Sequence, residues 1–172
     1  MNARKVAIVG PECSGKSSLV KKLAKEYGTE WVPEYARFYL TVNGANYKQK
    51  DLYEIANKQL NWENEIGRKV KDNFLFCDTN LLVIIIWAKY VFNNVPREIE
   101  SLYNPAAYDL HVLCKPDMEW EPDPLREHPK ERDEIFEKYH QYLEQHKIPF
   151  MIAEGDLENR IADVKKKLSK LK

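Results

Sequence analysis

Short apolar runs alternate with longer amphipathic stretches along this chain. The apolar runs predict β-strands over residues 6–9, 30–33, 74–77, 110–114 and 150–153. Apolar side chains at helical spacing predict helices over residues 18–27, 51–70, 135–143 and 161–171, with a stop at Gly28 for the first helix and a cap at Asp156 for the last. Strands separated by helices are typical of a parallel sheet covered on both faces. The pattern therefore predicts an α/β fold with a doubly wound, five-stranded parallel sheet.

The segment Leu81–Ala88 is apolar at every position, so its periodicity does not separate a strand from a buried helix. Its composition favours a strand. However, a gap of two residues after the predicted strand ending at Asp78 is too short for the crossover that a further parallel strand requires. We therefore predict a buried helix.

A phosphate-binding loop is predicted between the first strand and the first helix. The residues from Gly10 to Ser17 fit the pattern G-x-x-x-x-G-K-[ST] in the required strand-to-helix context. Main-chain amides and a helix amino terminus bind phosphate, the lysine reaches the β- and γ-phosphates, and the last hydroxyl is a ligand of Mg²⁺. ATP and Mg²⁺ are thus the expected cofactors, and the predicted nucleotide-binding residues are Gly10, Glu12, Cys13, Ser14, Gly15, Lys16, Ser17 and Ser18.

Two carboxylates follow predicted strands, at the sheet edge where ligands bind in open α/β folds. Asp78 is predicted to hold Mg²⁺ together with Ser17; alternatively, it caps the helix that follows. Glu34 and Arg37 follow the second strand and offer a carboxylate for the acceptor proton and a cation for the moving phosphate; alternatively, they form an ordinary surface ion pair.

A lid is predicted over residues 115–132, a segment rich in proline and charge. Closure of a lid excludes water and directs phosphate to the acceptor. Arg126 and Arg132 would stabilise charge on the transferred group, and Trp120 and Tyr35 are the aromatic residues best placed to stack on a ligand ring. A charged loop without function would have the same composition.

Composition narrows the classes of partner. The 172 residues predict one domain, and 27 basic and 27 acidic side chains cancel, which disfavours nucleic acid as a partner. No apolar run is long enough to span a membrane, and no targeting segment is evident, so we expect an unprocessed cytoplasmic protein. Three scattered cysteines, Cys13 among them, predict reduced thiols and no zinc site. The oligomeric state, homo-oligomers included, stays open.

The chain resembles the nicotinamide riboside kinase domain of NadR-type proteins. The resemblance is carried by the phosphate loop, Glu34-Tyr35-Ala36-Arg37, Gln59, Asp78-Thr79, Glu119-Trp120 with Asp123-Leu125-Arg126, and the corner near Glu154. It implies a P-loop NTPase fold similar to thymidylate kinase and transfer of the ATP γ-phosphate to the 5′-hydroxyl of nicotinamide riboside. By this likeness Lys16, Ser17, Asp78, Arg126 and Arg132 serve ATP and Mg²⁺, and the small-molecule acceptor meets Glu34, Tyr35, Arg37, Gln59, Asp78, Trp120 and Asp123.

Two departures accompany the resemblance. Asn80 stands where the family leads us to expect an acid, and the chain has the length of the kinase portion alone, so we expect it to make the mononucleotide and stop. Other functions compatible with the motifs are a kinase for another nucleoside or small hydroxylated metabolite and a regulatory P-loop ATPase. A GTPase is disfavoured because the chain lacks Asn-Lys-x-Asp and Asp-x-x-Gly.

Overall fold

Five parallel β-strands form a single sheet in the computed structural model, which describes residues 3–171. The strands lie in the order β2-β3-β1-β4-β5, and every adjacent pair is parallel, which confirms the predicted doubly wound sheet. The strands are β1 (Arg4–Val9), β2 (Trp31–Val32), β3 (Phe74–Asp78), β4 (Leu110–Cys114) and β5 (Phe150–Ala153). The helices are α1 (Lys16–Tyr27), α2 (Tyr35–Asn43), α3 (Gln49–Gly67), α4 (Leu81–Phe92), α5 (Arg97–Leu102), α6 (Arg132–Gln145) and α7 (Leu157–Leu168).

Side chains of β1 alternate between two apolar layers, because successive residues of a strand point to opposite faces. Val6 and Ile8 pack with the buried faces of α1 and α7. Ala7 and Val9 pack on the other face with residues of α4 and α6. A third cluster joins α2, α3, α4 and α5 beside the sheet. The helices thus cover both faces and leave the strand ends free to carry a site.

The apolar segment after β3 is a helix, as predicted, and it extends to Phe92. Its first turn is capped by Asn80, whose side-chain oxygen accepts a hydrogen bond from the amide of Leu82 at 3.0 Å. The predicted caps at Gly28 and Asp156 are also present. Asn80 rather than Asp78 therefore caps α4, which leaves the Asp78 carboxylate available for another role.

Several boundaries differ from the predictions. Neither α2 nor α5 was predicted, and α3 covers Gln49–Gly67 instead of residues 51–70. Val70 is buried beyond the helix end, so its apolar character reflects core packing rather than helix continuation. None of the helices between residues 3 and 171 combines the length and apolar character needed to cross a membrane.

Candidate active site

The loop between β1 and α1 has the backbone conformation that a phosphate-binding loop requires. Gly10 and Gly15 both have positive φ, at 138° and 78°. A Cβ atom on Gly10 would lie 2.7 Å from the carbonyl oxygen of Cys114, so only glycine fits against β4 there. The Ser14 hydroxyl donates to the carbonyl of Pro11 at 2.8 Å and closes the turn from inside. The predicted phosphate-loop residues all line one large cavity.

Lys16 is the first residue of α1 and is half-buried at the wall of this cavity. Its ammonium group donates to the carbonyls of Gly10 at 3.0 Å and Pro11 at 2.6 Å. These bonds fold the side chain over the loop whose amides would surround a phosphate. A cation in this place can follow a phosphate oxygen as charge develops on it.

Asp78 ends β3 directly beside β1, where it pairs in register with Ile8. The side chain is buried, and within residues 3–171 its Oδ1 atom has no hydrogen-bond partner. Burial raises the pKa of the Asp78 carboxyl, while the nearby Ser17 hydroxyl and the Lys16 ammonium act in the opposite direction. An unpartnered carboxylate oxygen next to a serine hydroxyl is the donor set that Mg²⁺ prefers. Ser17 and Asp78 therefore fit the predicted magnesium site.

Glu34 lies between β2 and α2 and lines the same cavity. Burial raises the pKa of its carboxyl to about 7; Asp78 and Glu12 add to this rise, while Lys16 and Arg37 oppose it. A carboxylate that titrates near neutral pH accepts a proton more readily than an ordinary glutamate. Glu34 thus has the place and the basicity of a proton acceptor.

Arg37, one turn further along α2, forms an ion pair with Asp123 rather than with Glu34, with Nη2 and Oδ2 2.5 Å apart. The hydrogen bond between them raises the pKa of the arginine and lowers that of the aspartate. Because Asp123 belongs to the segment predicted as a lid, this pair joins that segment to the helix following Glu34.

The segment 115–131 is a loop without regular helix or strand, as predicted, and it lies across the phosphate loop. The carboxylate of Glu12 accepts hydrogen bonds from the amides of Glu127 and His128, at 2.9 and 3.2 Å. The Cys13 thiol lies 3.4 Å from the carbonyl of Glu119, to which it donates, and its sulfur accepts from the amide of Glu121 at 3.3 Å. The segment is therefore fastened to the loop that would hold the nucleotide.

The two predicted lid arginines have different positions. Arg126 lines the cavity, while Arg132 begins α6 and donates to the carbonyls of Cys13 at 3.1 Å and Met118 at 3.0 Å. Both guanidinium groups lie 5.7 Å from the ring centre of Trp120. The Arg126 guanidinium also donates to the carbonyl of Glu121, whereas Arg132 and Trp120 stand outside the cavity lining and support the lid segment in this arrangement.

Four residues predicted to contact the acceptor stand outside the residues lining the cavity: Tyr35, Gln59, Trp120 and Asp123. Gln59 is buried, accepts a hydrogen bond from the amide of Tyr35 at 2.8 Å and donates to the carbonyl of Pro33 at 3.3 Å. The ring of Tyr35 packs edge-on against Trp62 at 4.8 Å. These contacts hold the turn that presents Glu34, so Gln59 and Tyr35 act beneath the site rather than at its surface.

The sequence reasoning did not identify Arg160. This residue of α7 is buried at 1% exposure, and its guanidinium donates to the carbonyls of Ser14 at 2.6 Å, Gly155 at 2.8 Å and Lys115 at 3.0 Å and to the carboxylate of Asp117. No local pattern marks it, because an arginine on an amphipathic helix is ordinarily a surface residue.

The Asn80 side chain is buried and does not line the cavity. Its amide nitrogen lies 3.1 Å from Nε2 of the buried His111, and the Tyr103 hydroxyl lies 3.0 Å from the same nitrogen. Burial lowers the pKa of His111 to about 4, so the ring is neutral at pH 7, and the tautomer decides whether Nε2 accepts from the Asn80 amide or donates to the Tyr103 hydroxyl. Asn80, which stands where the resemblance led us to expect an acid, is therefore part of a buried polar network.

The cavity has a volume of about 1240 Å³. Pockets for a single small ligand measure roughly 300–1,000 Å³, so this cavity has room for a nucleotide and a second molecule. Its lining combines the phosphate loop and residues 155–157 with parts of α2, α4 and the lid segment. Lys16 and Asp78 belong to the same lining.

A phosphate loop and a strand-end aspartate on this parallel sheet define a P-loop NTPase of the kinase fold. A family model described as an AAA domain, AAA_28, matches residues 5–160, and the chain belongs to that family. The curated relatives include the trifunctional NAD biosynthesis/regulator protein NadR of Escherichia coli K12, 27% identical over 91% of this chain and 40% of that protein. NadR of Salmonella typhimurium LT2 is 28% identical over 72% of this chain and 31% of its own length. The chain thus spans less than half the length of each of these two relatives.

Solved structures of other proteins share this fold. A NadR protein in complex with NR matches 98% of this chain and 50% of its own chain, with a TM-score of 0.79 and 21% identity. Deoxyadenosine kinase from M. mycoides with bound dATP matches 96% of this chain and 99% of its own, with a TM-score of 0.63 and 20% identity. The resemblance to NadR-type proteins inferred from the sequence is confirmed.

Proposed function

We propose that this protein phosphorylates the 5′-hydroxyl of nicotinamide riboside with ATP and Mg²⁺, yielding nicotinamide mononucleotide and ADP. The observation that carries the proposal is the position of Glu34, a carboxylate of pKa about 7 at the wall of a cavity that also contains the phosphate loop. The similarity to NadR proteins supports nicotinamide riboside as the acceptor.

The chemistry assigns one role to each group. The acceptor hydroxyl oxygen attacks the γ-phosphorus, the bond from that phosphorus to the β–γ bridging oxygen breaks, and the hydroxyl proton passes to Glu34. Lys16 and Arg126 stabilise the negative charge on the transferred group. Ser17 and Asp78 would hold Mg²⁺, which when bound neutralises charge on the phosphate oxygens. The lid segment excludes water, so that phosphate moves to the alcohol.

The test is an assay of the purified protein with ATP, Mg²⁺ and nicotinamide riboside, in which the mononucleotide is quantified by chromatography and ADP by a coupled reaction. We expect equal amounts of the two products and a kcat/KM at least about tenfold above that for deoxyadenosine, a difference of about 1.4 kcal/mol in transition-state binding.

Deoxynucleoside phosphorylation is the second candidate, favoured by the fold similarity to deoxyadenosine kinase over nearly the whole of both chains. Faster turnover of a deoxynucleoside than of nicotinamide riboside would establish that alternative. ATP hydrolysis at a rate that no acceptor changes would contradict both and indicate a regulatory ATPase.

A further inference from the structure

Part of the cavity wall is aromatic and belongs to α4. Val83, Trp87 and Tyr90 lie at helical spacing on the face of α4 that lines the cavity. With a rise of 1.5 Å per residue, Trp87 lies about 9 Å along the helix axis from Leu81, where α4 begins beside Asp78. An acceptor whose hydroxyl meets Glu34 would therefore extend its other end toward Trp87.

A chain of hydrogen bonds connects this wall to the lid segment. Trp87 Nε1 donates to the Tyr47 hydroxyl at 2.8 Å, and that hydroxyl donates to Oε2 of Glu127 at 2.8 Å. The rings of Tyr47 and Trp87 also pack edge-on, with their centres 4.6 Å apart. The directions of both bonds are fixed, because an indole nitrogen only donates and an ionised carboxylate only accepts. Glu127, which lines the cavity, is thus connected to Trp87 through the Tyr47 hydroxyl.

Charges of both signs lie around this part of the cavity. Glu12 and Glu127 contribute carboxylates, and that of Glu12 accepts hydrogen bonds from the amides of Glu127 and His128. The charge of Arg37 is balanced by its ion pair with Asp123, the Arg126 guanidinium donates to the carbonyl of Glu121, and Lys138 Nζ lies 5.6 Å from the ring centre of Tyr90. A cation bound over the face of an indole ring and near a carboxylate gains from both interactions, whereas an anion there meets like charge.

His128, the residue after Glu127, adds a polar group to the cavity lining. It lines the cavity, its ring packs edge-on against Tyr90 at 5.0 Å, and its buried Nε2 has no hydrogen-bond partner among the residues that the structure describes. A carboxamide both donates and accepts, so it can satisfy this nitrogen in either tautomer. A carboxylate can only accept.

We propose that Glu127, held in place by Tyr47 and Trp87, is a specificity-determining residue that favours acceptors with a positively charged, carboxamide-bearing ring over those with a carboxylate. This inference rests on the proposed function and deepens it, since nicotinamide riboside carries a cationic pyridinium ring. Nicotinic acid riboside has the same shape and differs by a carboxylate.

The kinetic test compares kcat/KM for the two ribosides in the wild type, Glu127→Gln and Glu131→Gln. The glutamine at position 127 can still accept the bond from Tyr47 but has no charge; Glu131 offers a matched loss of charge in the same part of the chain, outside the cavity lining. We expect the wild type to prefer nicotinamide riboside at least about tenfold. The preference should fall about fivefold in Glu127→Gln, mainly through KM, and should not change in Glu131→Gln.

A binding test separates this inference from the proposed function. Quenching of tryptophan fluorescence would be titrated with 1-methylnicotinamide, which is a cation, and with neutral nicotinamide. We expect tighter binding of the cation in the wild type and loss of that difference in Glu127→Gln; Trp87→Phe should remove most of the signal. Equal binding of both probes by the wild type, or an unchanged riboside preference in Glu127→Gln, overturns the inference. Selective binding of the cation without phosphorylation of either riboside supports it and contradicts only the proposed reaction.

Discussion

Arg160 donates a 2.6 Å hydrogen bond to the main-chain carbonyl of Ser14, joining α7 to the middle of the phosphate loop. The same guanidinium binds the carbonyls of Gly155 and Lys115 and the carboxylate of Asp117. By drawing the Ser14 carbonyl away from the anion site, Arg160 helps to keep the loop in the conformation that a phosphate needs.

Replacing Arg160 with methionine should therefore destabilise the protein, because three carbonyls and a carboxylate lose their donor. We expect the free energy of unfolding to fall by about 3 kcal/mol, measured by urea denaturation. Arg160→Lys, which keeps the charge but not the fork of donors, should still raise the KM for ATP. Arg97→Met on the exposed face of α5 is the control. A urea midpoint for Arg160→Met equal to that of the control would contradict this stabilising role of Arg160.

Lys16→Ala should abolish transfer without affecting the fold. The lysine is the cation nearest the predicted path of the γ-phosphate, so its loss should lower kcat/KM at least about 100-fold. The thermal unfolding midpoint should stay close to that of the wild type. Lys22→Ala, an exposed lysine on the same helix, should leave both quantities unchanged. A Lys16→Ala enzyme with wild-type kinetics would remove the lysine from the mechanism.

The activity should depend on pH through Glu34. Its carboxyl has a pKa of about 7, and only the deprotonated form accepts a proton. As the pH falls below 7, kcat/KM should therefore decline about tenfold per unit, and above 7 it should level off. Glu34→Gln should lose most of the activity and this pH dependence together, while Glu30→Gln, at an exposed position just before β2, keeps both. A profile that is flat between pH 5 and 8 in the wild type would exclude Glu34 as the base.

Asp78→Asn should weaken the dependence on magnesium while the protein still folds. The amide has nearly the shape of the carboxylate but is a poorer ligand for Mg²⁺, so the concentration required for half-maximal activity should rise about tenfold or more. Asp163→Asn on the exposed face of α7 serves as the control. Asp78 is a structural residue if Asp78→Asn is destabilised and its remaining activity is half-maximal at the same magnesium concentration as that of the wild type.

The sequence was sufficient to predict the features that depend on local pattern. The strand-loop-helix unit around Lys16 combines an apolar run, two glycines and an amphipathic face, and each signal is contained in neighbouring residues. Leu81–Ala88 was resolved as a helix because the chain offered too few residues for a crossover. Helix α2 was missed because Phe38 and Val42 are exposed and provide no buried stripe along most of its length.

Contacts between distant segments could not be predicted in the same way. Gln59 was expected to contact the acceptor, but only the fold shows that it binds the turn before Glu34 instead of a ligand. Arg160 obtains its partners from three separate stretches of chain. Such contacts depend on which loops are brought together by the order of the strands in the sheet. The sequence of α7 alone does not indicate that order.

Because all five strands run in one direction, their amino ends form a surface away from the cavity. The turns there, such as those at Asn73, Asp109 and Lys147, lie at the ends of β3, β4 and β5 that face away from the phosphate loop. A fluorophore or an immobilisation linker attached to the exposed Lys147 would therefore not obstruct the entry of either ligand.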